Sequence, residues 1–266
     1  MPDAEVMIEL VNVSKRFGTQ QVLNGLNLKI FRGESLAVVG PSGTGKSTVL
    51  RLIAGLMAPD SGTIRWRGHA HNDFWDPRHP APLRIGMVFQ QAALFDSLTV
   101  AENVGFWLYE HSRLSAQRIK ELVSQKLAAV GLEGIEDRLP ENLSGGQKKR
   151  VSFARAIMED PATPDDDPQI LLYDEPTAGL DPIASTVIED LIHDLQYKQR
   201  VCDTTVVVTH QDSTIRRTAS RVVLLAEGRV QWEGKVEEID HVDNPYVRQF
   251  FSGSTSGPMR VIMADE

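Results

Sequence analysis

Apolar and polar residues change period along this chain, and the changes divide it into elements. Over residues 7–13 and 22–30 apolar positions alternate with polar ones, with Leu26, Leu28 and Ile30 on one face, as in strands with one wet side. Four later runs, 35–39, 85–89, 170–173 and 204–209, are short, apolar and suited to buried parallel strands. Between them the period becomes helical. Residues 48–56 place Val49, Leu50, Leu52 and Ile53 on one face, and 115–130 do the same with Ile119, Leu122, Val123, Leu127 and Val130. Thr99-Val-Ala-Glu102 is a capping box that opens a helix toward Tyr109. From Asp181 and Pro182 a further helix carries Ile183, Val187, Ile188, Leu191, Ile192 and Leu195.

The remaining segments are connectors and edges. Pro59-Asp60-Ser61-Gly62 is a turn leading to a short strand at 63–67. Residues 221–226 and 230–233 read as a hairpin around Glu227-Gly228-Arg229. Residues 69–82, rich in Pro, His and Asp, read as an exposed loop, and the acidic, Pro-rich 160–168 as a surface insertion. His69, His71 and His79 lack a metal-ligand spacing, so that loop is read as solvated. The expected organisation is one α/β domain over 1–251 with a helical subdomain at about 92–158. A Ser- and Gly-rich, extended tail follows at 252–266.

Composition narrows the picture. Lys plus Arg number 28 against 36 Asp plus Glu, a formal charge of −8, which argues against broad contact with nucleic acid or anionic lipid. Cys202 is the single cysteine, so no intrachain disulfide is expected and a reducing compartment is. No apolar run is long enough to span a bilayer, and the first residues do not read as a signal peptide. Work at a membrane would therefore require a partner.

The chemistry gathers where strands end. Gly40-Pro41-Ser42-Gly43-Thr44-Gly45-Lys46-Ser47, followed by Thr48, fits the phosphate-loop pattern, with a buried strand before it and a helix after. Its glycines let backbone N–H groups wrap a polyphosphate, Lys46 reaches the β/γ-phosphates and Ser47 ligates Mg²⁺. Ile170-Leu171-Leu172-Tyr173 runs into Asp174 and Glu175, which read as a Mg²⁺ holder and the group that polarises an attacking water. Neighbouring acids also tend to raise one pKa, which suits a general base. Gln90 ends another strand, as a Mg²⁺ or water ligand or as an ordinary polar residue. Leu143-Ser144-Gly145-Gly146-Gln147 caps a helix and exposes N–H groups, a second anion site. His210 at a strand end can donate to a γ-phosphate, or be satisfied structure. Phe17 can stack on adenine or cover the core. Phe106, Trp107 and Leu108 offer a docking surface or core packing.

In that order along the chain, these motifs resemble the ATP-binding-cassette (ABC) ATPase subunits, and Leu143 to Gln147 is the most specific match. The resemblance implies an α/β P-loop NTPase core with a mostly parallel sheet, an antiparallel β subdomain and a helical subdomain. It implies ATP and Mg²⁺ as ligands, with Phe17 stacking on adenine and Gly40 to Thr48 holding phosphates. Ser47, Gln90 and Asp174 become the metal set. Glu175 is the catalytic base, assisted by His210 and Gln90. Ser144, Gly145, Gly146, Gln147 and Asp181 act across a dimer of two such chains. Within the family, residues 173–190, 208–211 and 244–258 look like the ATPases of Mla-type lipid transporters, including the chloroplast lipid importers that work with MCE-domain proteins. Many of those relatives carry Met at the position of Gln147. The resemblance implies a homodimer on a separate integral-membrane permease with an MCE-type partner and no nucleic acid. It implies a seat on the cytoplasmic, inner face of the inner (plasma) membrane. The other readings are a cassette for another solute, such as an amino acid, and a soluble non-transport ABC ATPase. The chain has neither the second cassette nor the long coiled-coil insertion expected of the latter.

Overall fold

The computed structural model describes residues 4–70, 83–161 and 170–259. His71 and His79 of the expected loop, residues 162–168 of the expected insertion and the tail beyond Met259 lie outside the described residues. Strands β1 (Val6–Phe17) and β2 (Gln20–Phe31) pair antiparallel, and β3 (Ser35–Val39) leads through the phosphate loop into α1 (Lys46–Ile53). Strands β4 (Ser61–Trp66), β5 (His69–Ala70) and β6 (Ile85–Val88) come next. Three helices follow, α2 (Val100–His111), α3 (Ala116–Ala129) and α4 (Gly145–Ala156). The chain then runs through β7 (Ile170–Asp174), α5 (Pro182–His193), β8 (Thr204–Val208), α6 (Asp212–Thr218), β9 (Arg221–Ala226), β10 (Arg229–Lys235) and α7 (Pro245–Ser252).

Two sheets result. One is antiparallel, in the order β2-β1-β4-β5; the other runs β10-β9-β3-β8-β7-β6, parallel except for the β10–β9 edge. The central strands are buried on both faces, so the period-two side-chain rule sends alternate residues into different cores. Leu36, Val38, Ile170, Leu172, Val206 and Val208 pack with α1 and the antiparallel sheet, while Leu171, Tyr173 and Val207 pack with α2 to α5. The helical subdomain therefore has no sealed core of its own. Val104, Leu108, Leu127 and Phe153 share one apolar cluster with Val88 and Tyr173 of the sheet. That shared core packs α4, which begins after Ser144, against the sheet.

Three features differ from the pattern-based expectation. Strand β1 runs on to Phe17, because Lys15 and Arg16, despite their charge, and Phe17 pair with Leu23, Gln21 and Gln20. Helices α6 and α7 were not anticipated. Thr214 and Thr218 of α6 are buried through hydrogen bonds, Thr214 to Glu189 and Thr218 to the Thr214 carbonyl, so no apolar stripe marks the helix. The tail folds back on α7: the Gln249 amide donates to the Met259 carbonyl at 2.9 Å and accepts the Met259 N–H at 2.7 Å.

Candidate active site

The parallel strands deliver their C-terminal ends to one edge, and the site is built there. Strand β3 is buried throughout and hands the chain to Gly40, whose φ is 146°. A Cβ there would lie 2.1 Å from the Leu225 carbonyl oxygen of β9. Gly45 (φ 95°) is the second forced glycine, since a Cβ would sit 2.7 Å from Val22. Close backbone approach thus requires the two glycines that shape the cradle. Gly45 caps α1 with no side-chain hydrogen bond, so the first N–H groups of α1 remain for an anion. The buried Lys46 ammonium donates to the Gly40 and Pro41 carbonyls, each at 2.9 Å, and Thr44 Oγ1 donates to Pro41 at 2.8 Å. Burial lowers the Lys46 pKa, and the charges of Glu175 and Asp174 oppose that shift.

Strand β7 brings the two acids. Ser47 Oγ donates to Asp174 Oδ1 at 2.8 Å, joining the loop to the acidic strand end. Asp174 is buried, and burial is the main reason its carboxyl lies above the usual range. The Ser47 hydrogen bond and the Arg51 and Lys46 charges pull it down, and the Glu175 charge adds a smaller push upward. Coupling between the acids, expected from their adjacency, is real but secondary. Ionised Asp174 therefore costs the fold stability above its folded pKa, and the cost fades as pH falls and both states become protonated. Asp174→Asn is expected to raise the nucleotide-free thermal midpoint at neutral pH, with the gain shrinking in acid, as scanning fluorimetry across pH would show. A lowered midpoint at neutral pH would contradict this.

Glu175 adopts φ 46°, a left-handed conformation rare outside glycine, and its N–H is held by the Val208 carbonyl at 2.9 Å. Its Oε1 lies 2.9 Å from His210 Nδ1, and its Oε2 is buried with no hydrogen-bond partner among the described residues. His210 follows β8, and its side chain is 58% exposed. The structure thus brings Lys46, Ser47, Asp174, Glu175 and His210 into one linked group.

Other expected residues lie around this group. Gln90, after β6, is exposed, and no hydrogen bond joins its side chain to Ser47 or Asp174 among the described residues. Its carbonyl instead accepts from the Lys149 ammonium. Phe17 is 45% exposed, with the Lys15 ammonium 6.0 Å from its ring centre. Ser144 and Gln147 form a capping box, Gln147 Oε1 accepting the Ser144 N–H at 2.9 Å. Asp181 caps α5 through Ile183 and Ala184, both at 2.9 Å. Ser144, Gly145, Gly146 and Asp181 line a hollow of their own, which Gly40 to Ser47 do not line. The aromatic surface divides: Leu108 is core, whereas Trp107 is 51% exposed. Trp107, Phe95, Phe89, Leu56, Met87 and Arg155 line a second groove between the helical subdomain and the sheet.

Lys149 escaped the sequence reading, where it was one of three charges after the signature. It is only 5% exposed. Its signal was its place four residues before Phe153, which puts both on the core face of α4.

The family described as ABC transporter matches residues 23–178. Protein TRIGALACTOSYLDIACYLGLYCEROL 3, chloroplastic, from Arabidopsis thaliana is 51% identical over 97% of this chain and 77% of that protein. The intermembrane phospholipid transport system ATP-binding protein MlaF from Haemophilus influenzae is 34% identical over 96% of this chain and 93% of its own length. A sulfate/thiosulfate import ATP-binding protein from Methylococcus capsulatus is 40% identical over 91% of this chain and 67% of its own length. Among solved structures, the dimeric post-hydrolysis state of the ATP-binding cassette MJ0796 bound to ADP and Pi superposes with a TM-score of 0.72. It is 33% identical and covers 86% of this chain and 99% of that one. Motif order, strand-end geometry and these similarities agree: the chain belongs to the ABC transporter family as an ATPase subunit.

Proposed function

We propose that this chain hydrolyses ATP as one half of a homodimer and drives lipid transport through a separate permease. The observation that carries the catalytic part is Glu175, whose buried Oε2 has no hydrogen-bond partner among the described residues while His210 holds Oε1. A carboxylate oxygen oriented in that way accepts a proton from a water attacking the γ-phosphorus. The P–O bond to the β-phosphate breaks as the bond to water forms, releasing ADP and phosphate. Lys46 and the N–H groups of Gly43 to Ser47 and Thr48 bind the phosphates, with Pro41 and Ser42 completing the loop. The exposed ring of His210 donates to the γ-phosphate, and Phe17 stacks on adenine. The Ser47 hydroxyl and Asp174 carboxylate, already 2.8 Å apart, form an oxygen donor set suited to a hard cation, with Gln90 as a third ligand. A Mg²⁺ ion bound by these residues would supply neutralisation of phosphate charge.

The hollow at Ser144, Gly145, Gly146 and Asp181 is distinct from the loop in the same chain. Two chains facing each other complete two sites, each lending its signature to the other's triphosphate. The apolar groove around Trp107 and Phe95 receives a permease segment, which connects the membrane subunit to Gln90.

The lipid reading rests on one relative named for a galactolipid and one named for phospholipid transport, together with residues 173–190, 208–211 and 244–258. It adds an MCE-type partner and a peripheral seat on the inner, cytoplasmic face of the inner (plasma) membrane. The 51% identical relative is chloroplastic, so the fractionated membrane also reports the compartment. Affinity purification from native membranes tests this reading. Recovery of a permease, an MCE-domain protein and bound phospholipid is expected. The sulfate/thiosulfate relative favours a second reading, and recovery of a sulfate or amino-acid permease would replace the lipid assignment.

A further inference from the structure

Lys149 is a buried ammonium with an unusual set of partners. It projects from the first turns of α4, the helix that Ser144 caps, and is 5% exposed. Among the described residues its hydrogen bonds go to main-chain carbonyls, to Gln90 and, at 3.4 Å, to Glu175, and no carboxylate pairs with it. Burial lowers its pKa, while the charges of Asp174 and Glu175 oppose that shift. A buried cation without a paired anion is a poor stabilising device, because an apolar residue of similar size avoids the desolvation cost.

The bonds make sense as positioning. Gln90 and Glu175 follow the ends of the neighbouring parallel strands β6 and β7, where Val88 pairs with Tyr173. The Glu175 N–H is anchored on Val208, and Lys149 holds its carbonyl. The left-handed backbone of Glu175 is thereby held from both sides. The same helix reaches the other end of the Gln90 segment: Arg155 donates to the Ala92 carbonyl at 3.0 Å and to the Ala93 carbonyl at 2.7 Å. Ala93 also has a left-handed backbone, at φ 50°, and lines the aromatic groove with Phe89 and Arg155.

We propose that Lys149 is a positioning residue for hydrolysis: its ammonium ties the Gln90 and Glu175 carbonyls together and so aims the Glu175 carboxylate from the signature helix. The proposal rests on Glu175 being the base. It makes α4 the element through which the groove and the hydrolytic carboxylate are coupled within one chain.

The test uses the full chain with Lys149→Met, Lys149→Gln and Lys149→Arg, assayed for kcat, KM for ATP, calorimetric ATP affinity and thermal midpoint. Lys149→Met is expected to lower kcat about tenfold to a hundredfold through misaimed geometry, with KM and affinity changed less than about twofold. Its midpoint should hold or rise, opposite to what a structural strut predicts. Lys149→Arg, with donors for both carbonyls, should restore most of the turnover, and Lys149→Gln should lie between. Wild-type kcat in Lys149→Met would overturn the proposal, as would kcat and midpoint falling together with no rescue by Arg. If Lys149→Met does not fold, wild-type turnover in Lys149→Gln overturns it, and a reduced kcat at unchanged KM that Arg restores supports it. Glu175→Gln is measured in parallel. Full turnover in that variant removes the base reading and this proposal together. A dead Glu175→Gln beside a fully active Lys149→Met removes only the proposal.

Discussion

Glu175→Gln is expected to bind ATP normally and to lose turnover by about 10²- to 10⁴-fold, the usual contribution of a positioned general base. Glutamine has the same shape and keeps an oxygen to meet His210 Nδ1, now at 2.9 Å from Oε1. The backbone bond from the Glu175 N–H to Val208 is unaffected. What disappears is the proton-accepting capacity of Oε2, the buried oxygen of this residue that no group among the described residues satisfies. ATP that is bound but not cleaved should hold two chains together. Light scattering after gel filtration is therefore expected to show a dimer with ATP and a smaller species without it. Steady-state hydrolysis at the wild-type rate would remove Glu175 from its role.

The second large effect is on binding. Lys46→Ala is expected to weaken ATP affinity by about 1.5–3 kcal/mol, or roughly 10- to 150-fold, the range for hydrogen bonds to charged groups. The ammonium is preorganised, since the Gly40 and Pro41 carbonyls hold it over the loop. With Lys149, it is also a nearby cation whose charge is felt by both acids, because Asp174 and Glu175 each act on its pKa. Its removal lets the Asp174 carboxyl rise further above the usual range, since Lys46 is one of the groups pulling it down. Calorimetry showing unchanged ATP affinity in Lys46→Ala would contradict this account.

The apolar runs before Gly40 and Asp174 were legible because each strand is buried on both faces, which leaves a continuous local signature. The two capped helices at Thr99 and Asp181 were legible because a cap and the backbone N–H that donates to it lie within a few residues. Helix α7 carried equally local signals that went unread: Asn244 as cap, Pro245 at the first position and Gly253 at φ 66° after the end. Helix α6 was not legible in this way, because Thr214 is buried by its bond to Glu189 of another helix. The extension of β1 to Phe17 likewise depends on its partner strand rather than on its own residues.

Chemical identity was written in the chain itself. The glycine loop, the paired acids and the Ser144-Gly145-Gly146 corner each need particular residue types at fixed short spacings, and short spacings survive in one dimension. Folding decided which of these groups meet. It joined Ser47 to Asp174 across 127 positions and Glu175 to His210 across 35, and it left the Gln90 side chain apart from both. It also turned Lys149 from one charge in a basic run into a buried link between two strand ends. Burial and long-range pairing arise from the packing of distant segments, and no local pattern records which segments will touch.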